Sequence, residues 1–432
     1  LGLYIFLRQR DLSQLYRSSV VVLSLIFTVI IYLMGNRTRF RDVFYTYAQF
    51  QEVSWDSVSE NVYMNMRAPY SRPYQVELQE GYTVKPVTGA YYYGNDSQVR
   101  FTGDEACKVD ISHLEDATRV TLHDVPAFEP RYFQMDKTVK NEDQIGFYGS
   151  LEIDHGKISG EITSQFKEKM ENCTVFFNDK LIYLGDVEPG QTVEVGNYPV
   201  LEYPQNHSFD VASYLSGQSA FDQADIEDDA YVEAVEKTNL LSFYLDYYMP
   251  SYLSAARVVG IKTNSGSHNG LIRAGDVEGR TVASSNVDVY SSEDEILYRQ
   301  ATQRQPKVIS GNYDENSNAL FGMDPVTLEY SLGSDIWIQR LTMDFVSDEF
   351  LQNGGGTLLK FSGNIYFYNH STGSFDKQEP AKRDYDSADL APYLSPGNTI
   401  TVKYVYENNS EYNWDVLLPV LNVMGRTIDD RD

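Results

Sequence analysis

The chain has 432 residues, and its 35 Lys and Arg face 62 Asp and Glu, for a formal net charge of −27. A body that acidic repels nucleic-acid phosphates and anionic lipid heads, so DNA and RNA are excluded as partners, and the acidity suits a solvated surface or cation binding. Cys107 and Cys173 are the only cysteines and lie 66 positions apart, and the six His show no paired spacing, so neither a zinc site nor a Cys-x-x-Cys motif has support.

Ser18 to Gly35, SSVVVLSLIFTVIIYLMG, runs 18 residues without a charge. At 1.5 Å per residue a helix of that length reaches about 27 Å, close to the ~30 Å hydrocarbon core, so 18–35 is expected to be a transmembrane helix in the lipid bilayer. Leu1 to Leu7 reads as the end of another apolar helix, with Arg8 to Arg17 as a short loop between two spans. Three Arg on each side of the span leave the positive-inside count tied. Residues 1–41 carry six Arg and one Asp, so residues 42–432 carry −32 of the total. The body is poor in Lys, rich in Tyr, Asn and Gly, and patterned like sheet, which favours an extracytoplasmic location at the cell membrane.

The 34 Tyr and 21 Phe suit half-buried strands, and the length after the span calls for two or three domains. Val62, Met64 and Met66 alternate with polar residues, as do Tyr74, Val76 and Leu78, and Pro69 to Pro73 between them suggests an antiparallel hairpin. Arg119 to Val125 reads as a further strand. Leu151 to Ile153, the turn Asp154-His155-Gly156, and Ile158 and Ile162 on one face of KISGEIT predict a second hairpin. Thr174 to Phe177 and Lys180 to Leu184 flank the tight turn Asn178-Asp179. Glu188-Pro189-Gly190-Gln191 reads as a type II turn, and Val193 and Val195 open the next strand.

Acidic Asp225 to Asp229 suits a helix N-terminus, and Tyr231 to Tyr248 has helical spacing without Gly or Pro. A second short helix could run through Tyr252 to Arg257 before a return to strand. Val326 to Leu332 alternates. Ile336 and Ile338 share that parity but Leu341, Met343 and Phe345 have the other, which predicts a turn or β-bulge near Gln339-Arg340. Ile400 to Tyr406 alternates after the turn Ser395-Pro396-Gly397-Asn398. The expected fold is mainly β: a first β-sandwich region at 42–210, a short helical connector at 211–260 and a second β-sandwich at 261–432, immunoglobulin-like or jelly-roll-like.

The apolar hairpin, the exit Tyr32-Leu33-Met34-Gly35, the Arg-rich flank, Gly156 to Thr163 and Leu184-Gly185-Asp186-Val187-Glu188-Pro189-Gly190 together resemble the C-terminal half of uncharacterised membrane-anchored surface proteins of Gram-positive bacteria with immunoglobulin-like ectodomains. The resemblance implies an extracytoplasmic body and supplies no catalytic residue.

No catalytic motif stands up. Gly266-Ser267-His268-Asn269-Gly270 puts Ser one place too early for a nucleophile elbow, and Gly354 to Gly356 lacks the Gly-Lys-Ser/Thr of a phosphate loop. Asp314 to Asn318 supplies oxygens at EF-type positions, but Ala319 and Pro325 stand where Gly and Glu are needed, so an Asx-rich turn is expected. No cofactor or metal is expected. Trp337 lies between Ile336 and Ile338 and points to the opposite face, which makes it the one ligand-platform candidate. Cys107 and Cys173 could form a disulfide or stand as two separate thiols. The expected function is a non-enzymatic surface module with a protein or glycan partner. A carbohydrate-active ectodomain and an accessory subunit of a transport complex are the rivals.

Overall fold

The structure, a computed structural model, describes residues 27–28 and most of 42–427; it leaves out 1–26, 29–41, 93–99, 103–107, 250–255, 264–269, 292–295, 301–305, 354–357, 407–414, the residues from 428 onward, and some shorter stretches. The expected span 18–35 therefore lies outside the described residues apart from 27–28, which are helical. Among the described residues no helix is long and apolar enough to cross a membrane. The short helix expected from Tyr252 lies mostly outside them too.

The fold is mainly β, with several sheets and few helices. The chain divides into two compact units, one of residues 1–47, 62–135 and 265–278, the other of 48–61, 136–264 and 279–432. In the first unit Tyr74–Gln79, Ala117–Leu122 and Val109–His113 form a three-stranded antiparallel sheet. Val62, Met64, Met66, Val76, Leu78, Val120, Leu122 and Phe133 share its core. Each such side chain contributes about 1.5–3 kcal/mol by burial. The expected hairpin of Val62–Met66 with Tyr74–Leu78 does not form. The Ser57–Arg67 strand lies between Phe44–Val53 and Pro130–Lys140, whereas Tyr74–Gln79 pairs with Ala117–Leu122. Alternation fixes which face is buried and leaves the hydrogen-bonding partner open.

The second unit holds two cores. In the first, Leu201–Glu202, Lys180–Val187, Met170–Phe177, Ala256–Thr263 and Val277–Ser291 are successive neighbours in one sheet. The hairpin Phe147–Asp154 with Lys157–Ser164 turns at the expected place and packs Leu151, Ile153, Ile158 and Ile162 against that sheet. The type II turn also forms: Gln191 N donates to Glu188 O at 3.0 Å and Gly190 has φ +73°. The strand after it ends at Glu194 in a short 3-10 turn, Val195–Asn197.

Two helices follow the strand Leu201–Glu202: Ser208–Ser216 and Asp229–Tyr247, the latter capped by Asp228, whose carboxylate accepts from Ala230 N at 2.9 Å. They are more than a connector. Asp229–Tyr247 lies on the sheet face opposite the core, where Lys237 pairs with Glu171 at 2.9 Å and Phe243 stacks on Phe50 at 5.3 Å. The boundary expected at 261 falls inside Ala256–Thr263, whose neighbours are Met170–Phe177 and Val277–Ser291, so this strand completes the first sheet.

The second core lies between the sheet Ile296–Gln300, Val420–Thr427, Ile336–Asp344, Asp384–Asp386 and the sheet Lys307–Ser310, Val326–Ser331, Thr399–Val405, Asn364–Asn369, Ser374–Lys377. The parity switch at Gln339 is a β-bulge, with the register against Val420–Thr427 shifting between Ile338 and Arg340. The Ser395 turn closes through Asn398 N donating to Ser395 O at 3.0 Å.

Gly160 marks a close backbone approach in the first core. Its φ is +127°, and an added Cβ would lie 2.2 Å from Ser150 O. Gly160→Ala is expected to lower the unfolding free energy by about 1–3 kcal/mol, read as the midpoint shift in urea. A variant within a few tenths of wild type would count against this close approach.

Candidate functional site

One face of the Ile336–Asp344 sheet carries the features of interest. Before the bulge, Ile336 and Ile338 point into the core and Trp337 points out, 49 % exposed. After it, Leu341 and Met343 point inward, which places Arg340, Thr342 and Asp344 on the outer face with Trp337. Across the ladder Trp337 is opposite Arg426, and Thr342 is opposite Asn422. Arg340 pairs with Asp384 at 2.7 Å. The face is thus open at its Trp337 end.

At its Asp344 end the same face is closed by the tip of the Met170–Phe177/Lys180–Val187 hairpin. A two-residue loop fixes that tip, with Phe177 and Lys180 paired across it. Asp179 is 1 % exposed and Lys180 8 %, and both side chains reach the second sheet. Lys180 Nζ lies 2.5 Å from Asp344 Oδ2, 3.7 Å from Glu202 Oε1 and 3.8 Å from Asp179 Oδ1. Asn422 Nδ2 donates to Asp179 Oδ1 at 3.2 Å and Oδ2 at 3.1 Å, and to Asp344 Oδ2 at 2.8 Å. Ser347 ties the flank: its Oγ donates to Glu202 Oε2 at 2.9 Å, and its N–H donates to Glu202 O at 2.8 Å.

Three carboxylates share one ammonium here. Burial drives the Asp179 carboxyl above its ordinary value and the Asp344 charge adds to that, while Lys180 and Asn422 pull the other way. Burial and the Asp179 charge likewise raise the Tyr203 phenol, whose backbone N–H donates to Asp179 O at 2.9 Å. Among the described residues no group of three or more His, Cys, Asp or Glu could hold a metal ion.

The other residues singled out in the sequence are placed as follows. Cys173 is a buried free thiol whose Sγ donates to Met170 O at 3.4 Å, and burial pushes its thiol up. Cys107 lies outside the described residues, as do Trp414, the Gly266–Asn269 stretch and the Gly354–Gly356 loop. Asp314 Oδ2 accepts from the N–H and the hydroxyl of Ser317, three residues on, so its carboxylate is used within its own loop. The structure also brings out Trp55, 70 % exposed and edge-on to Tyr148 at 6.3 Å. Its signal was available, since Ser54, Asp56 and Ser57 around it mark a polar strand connection. The Asp179 cluster carried no such signal, because its members are 243 positions apart at the widest.

Residues 146–296 match a family described as a domain of unknown function, DUF8725, and residues 295–425 match another, DUF8815. No curated protein matches the chain. Among solved structures, the yeast delta-COP-I mu-homology domain complexed with a Dsl1 WxWxV peptide is similar at 8 % identity and a TM-score of 0.26, covering 57 % of this chain and 96 % of that one. The same yeast domain alone gives 9 % identity and a TM-score of 0.25, with 58 % and 98 % covered. At those scores the likeness carries no argument about fold or binding. The two family matches meet near residue 295, so Asp179, Lys180 and Glu202 come from one matched region and Asp344, Ser347 and Asn422 from the other.

Asp179 gives the cluster a pH dependence of definite sign. A carboxyl raised on folding binds its proton more tightly in the folded chain, so its support is complete below the unfolded value of about 3.9 and is lost as pH rises through the folded value. Asp179→Asn keeps the shape and cannot ionise. Wild type should therefore lose urea stability relative to this variant as the pH rises above about 4. Wild type gaining on the variant over that range would contradict the assignment.

Proposed function

We propose that residues 42–432 form a non-enzymatic binding body, built on two immunoglobulin-like β-sandwich regions and held outside the cell by the apolar segment 18–35. The observation that carries the binding role is Trp337, a half-exposed indole on the open end of a sheet face. A flat aromatic held there by a rigid strand offers a stacking surface for a sugar ring. The net charge of −27 disfavours anionic polymers, so the partner that fits is a neutral envelope glycan. The ionisable groups beside the Trp337 face support a non-catalytic reading: Arg340 is engaged with Asp384, and Lys180 with Asp344.

The test is a glycan array probed with the soluble body and with Trp337→Ala. The exposed substitution should leave stability within about 0.5 kcal/mol of wild type. Glycan binding should fall at least about tenfold, equivalent to about 1.4 kcal/mol. No glycan binding by wild type, or binding unchanged in the variant, would overturn the reading. Release of sugar from wall polymers would overturn its non-enzymatic part.

A further inference from the structure

We infer that the first unit docks on the bilayer surface through Tyr70 and Phe128, two exposed rings at the sheet end where the chain arrives from the apolar segment, which rests on reading 18–35 as a span. Phe44, which opens the strand Phe44–Val53, is nine positions after Gly35. At about 3.3–3.6 Å per residue, that strand starts within about 32 Å of the segment's end. The Ser57–Arg67 strand returns beside it, and Asn65 Nδ2 donates to Thr46 Oγ1 at 3.2 Å, so Arg67 ends next to Phe44. Pro130–Lys140 is the next strand, and just before it the Phe128 N–H donates to Ala68 O at 2.7 Å. The turns that carry Tyr70 and Phe128 thus share one end of the sheet with the incoming chain.

Phe128 is held there against a backbone cost. Its φ is +63°, a conformation that strains a bulky side chain, and of the other four non-glycine residues of positive φ among the described ones three are Asn, which tolerates it. Pro126 and Pro130 bracket the turn, and the Ala127 N–H donates to Ser71 Oγ at 3.0 Å, tying it to the Tyr70 turn. Tyr74 in turn donates its hydroxyl to Tyr70 O at 2.9 Å. The rings so presented are 58 % exposed at Phe128 and 43 % at Tyr70, so neither is fixed for the sake of a core. Arg67 and Arg72 flank Tyr70 and are exposed, Arg72 lying over the Tyr74 ring at 5.0 Å, whereas Arg131 is paired with Glu129 at 3.0 Å. Rings with arginines beside them suit the headgroup layer, where the ring lies at the acyl boundary and the guanidinium meets lipid phosphate. A zwitterionic bilayer supplies that phosphate without the repulsion that an anionic one exerts on this acidic chain.

The test is the full chain reconstituted in phosphatidylcholine vesicles that contain a lipid with a photoactivatable carbene precursor at its head group, followed by peptide mapping. Wild type should carry label on the peptides of Tyr70 and Phe128 as well as on 18–35. A Tyr70→Ser, Phe128→Gly double variant should lose most of the label on those two peptides and keep it on 18–35. Gly adopts the Phe128 conformation freely and Tyr70 is exposed, so the fold is retained. Label on 18–35 with none on either loop would overturn the docking and leave the span standing. Label on the loops with none on 18–35 would support the docking and remove the span, and no label on either would overturn both. Unchanged loop labelling in the double variant would overturn the part given to the two rings.

Discussion

Burying a carboxyl group is costly unless hydrogen-bonding partners meet it, and the second unit is organised around one such requirement at Asp179. Asp179 occupies a hairpin tip, where the chain would ordinarily leave it in water. Its partners Asn422 and Lys180 come from different sheets, and Lys180 in turn reaches Asp344. The buried carboxyl keeps these partners only when the sheets are in register with each other. A hydrophobic contact at the same place would tolerate sliding, whereas shared hydrogen bonds do not. The arrangement therefore fixes where one matched region meets the other.

The strand Met170–Phe177 illustrates a related constraint. Its last five residues are all buried, with no alternation, because its sheet is covered on both faces. The Phe147–Ser164 hairpin lies on one side, and the Asp229–Tyr247 helix on the other. That helix brings charges with it, so the covered face carries ion pairs such as Lys237–Glu171 and Arg257–Glu52 where a core would carry aliphatic contacts. Arg257 is kept in place by Asn286 Oδ1 at 2.9 Å and Tyr248 O at 3.2 Å, which satisfies the guanidinium donors that the helix takes from water.

The outer face of the Ile336–Asp344 sheet divides its labour along its length. The bulge after Ile338 aligns Trp337 with Asp344 on one face, although they lie an odd number of positions apart. Without that extra residue Asp344 would turn into the core and the buried cluster would lose its acceptor. One irregularity thus serves both the exposed indole and the closed polar end.

The amino-acid sequence by itself determined the local pieces: the strand faces at Val62–Met66 and Val326–Leu332, the bulge at Gln339, the turns at Gly190 and Asn398, and the helix begun at Asp228. These are legible because side-chain period, Gly and Pro placement and capping act over a few residues. The outward direction of Trp337 was legible for the same reason. Pairing was not. Ser57–Arg67 and Tyr74–Gln79 went to different sheets, Ala256–Thr263 joined the first sheet, and the helix lay on a sheet face, since the strand choosing a partner responds to burial summed over the whole unit. The Asp179–Lys180–Asp344–Asn422 cluster belongs to tertiary structure alone. Nothing near Asp179 in the chain distinguishes it from the other acids of an acidic protein, and only folding brings Asp344 and Asn422 within hydrogen-bond reach.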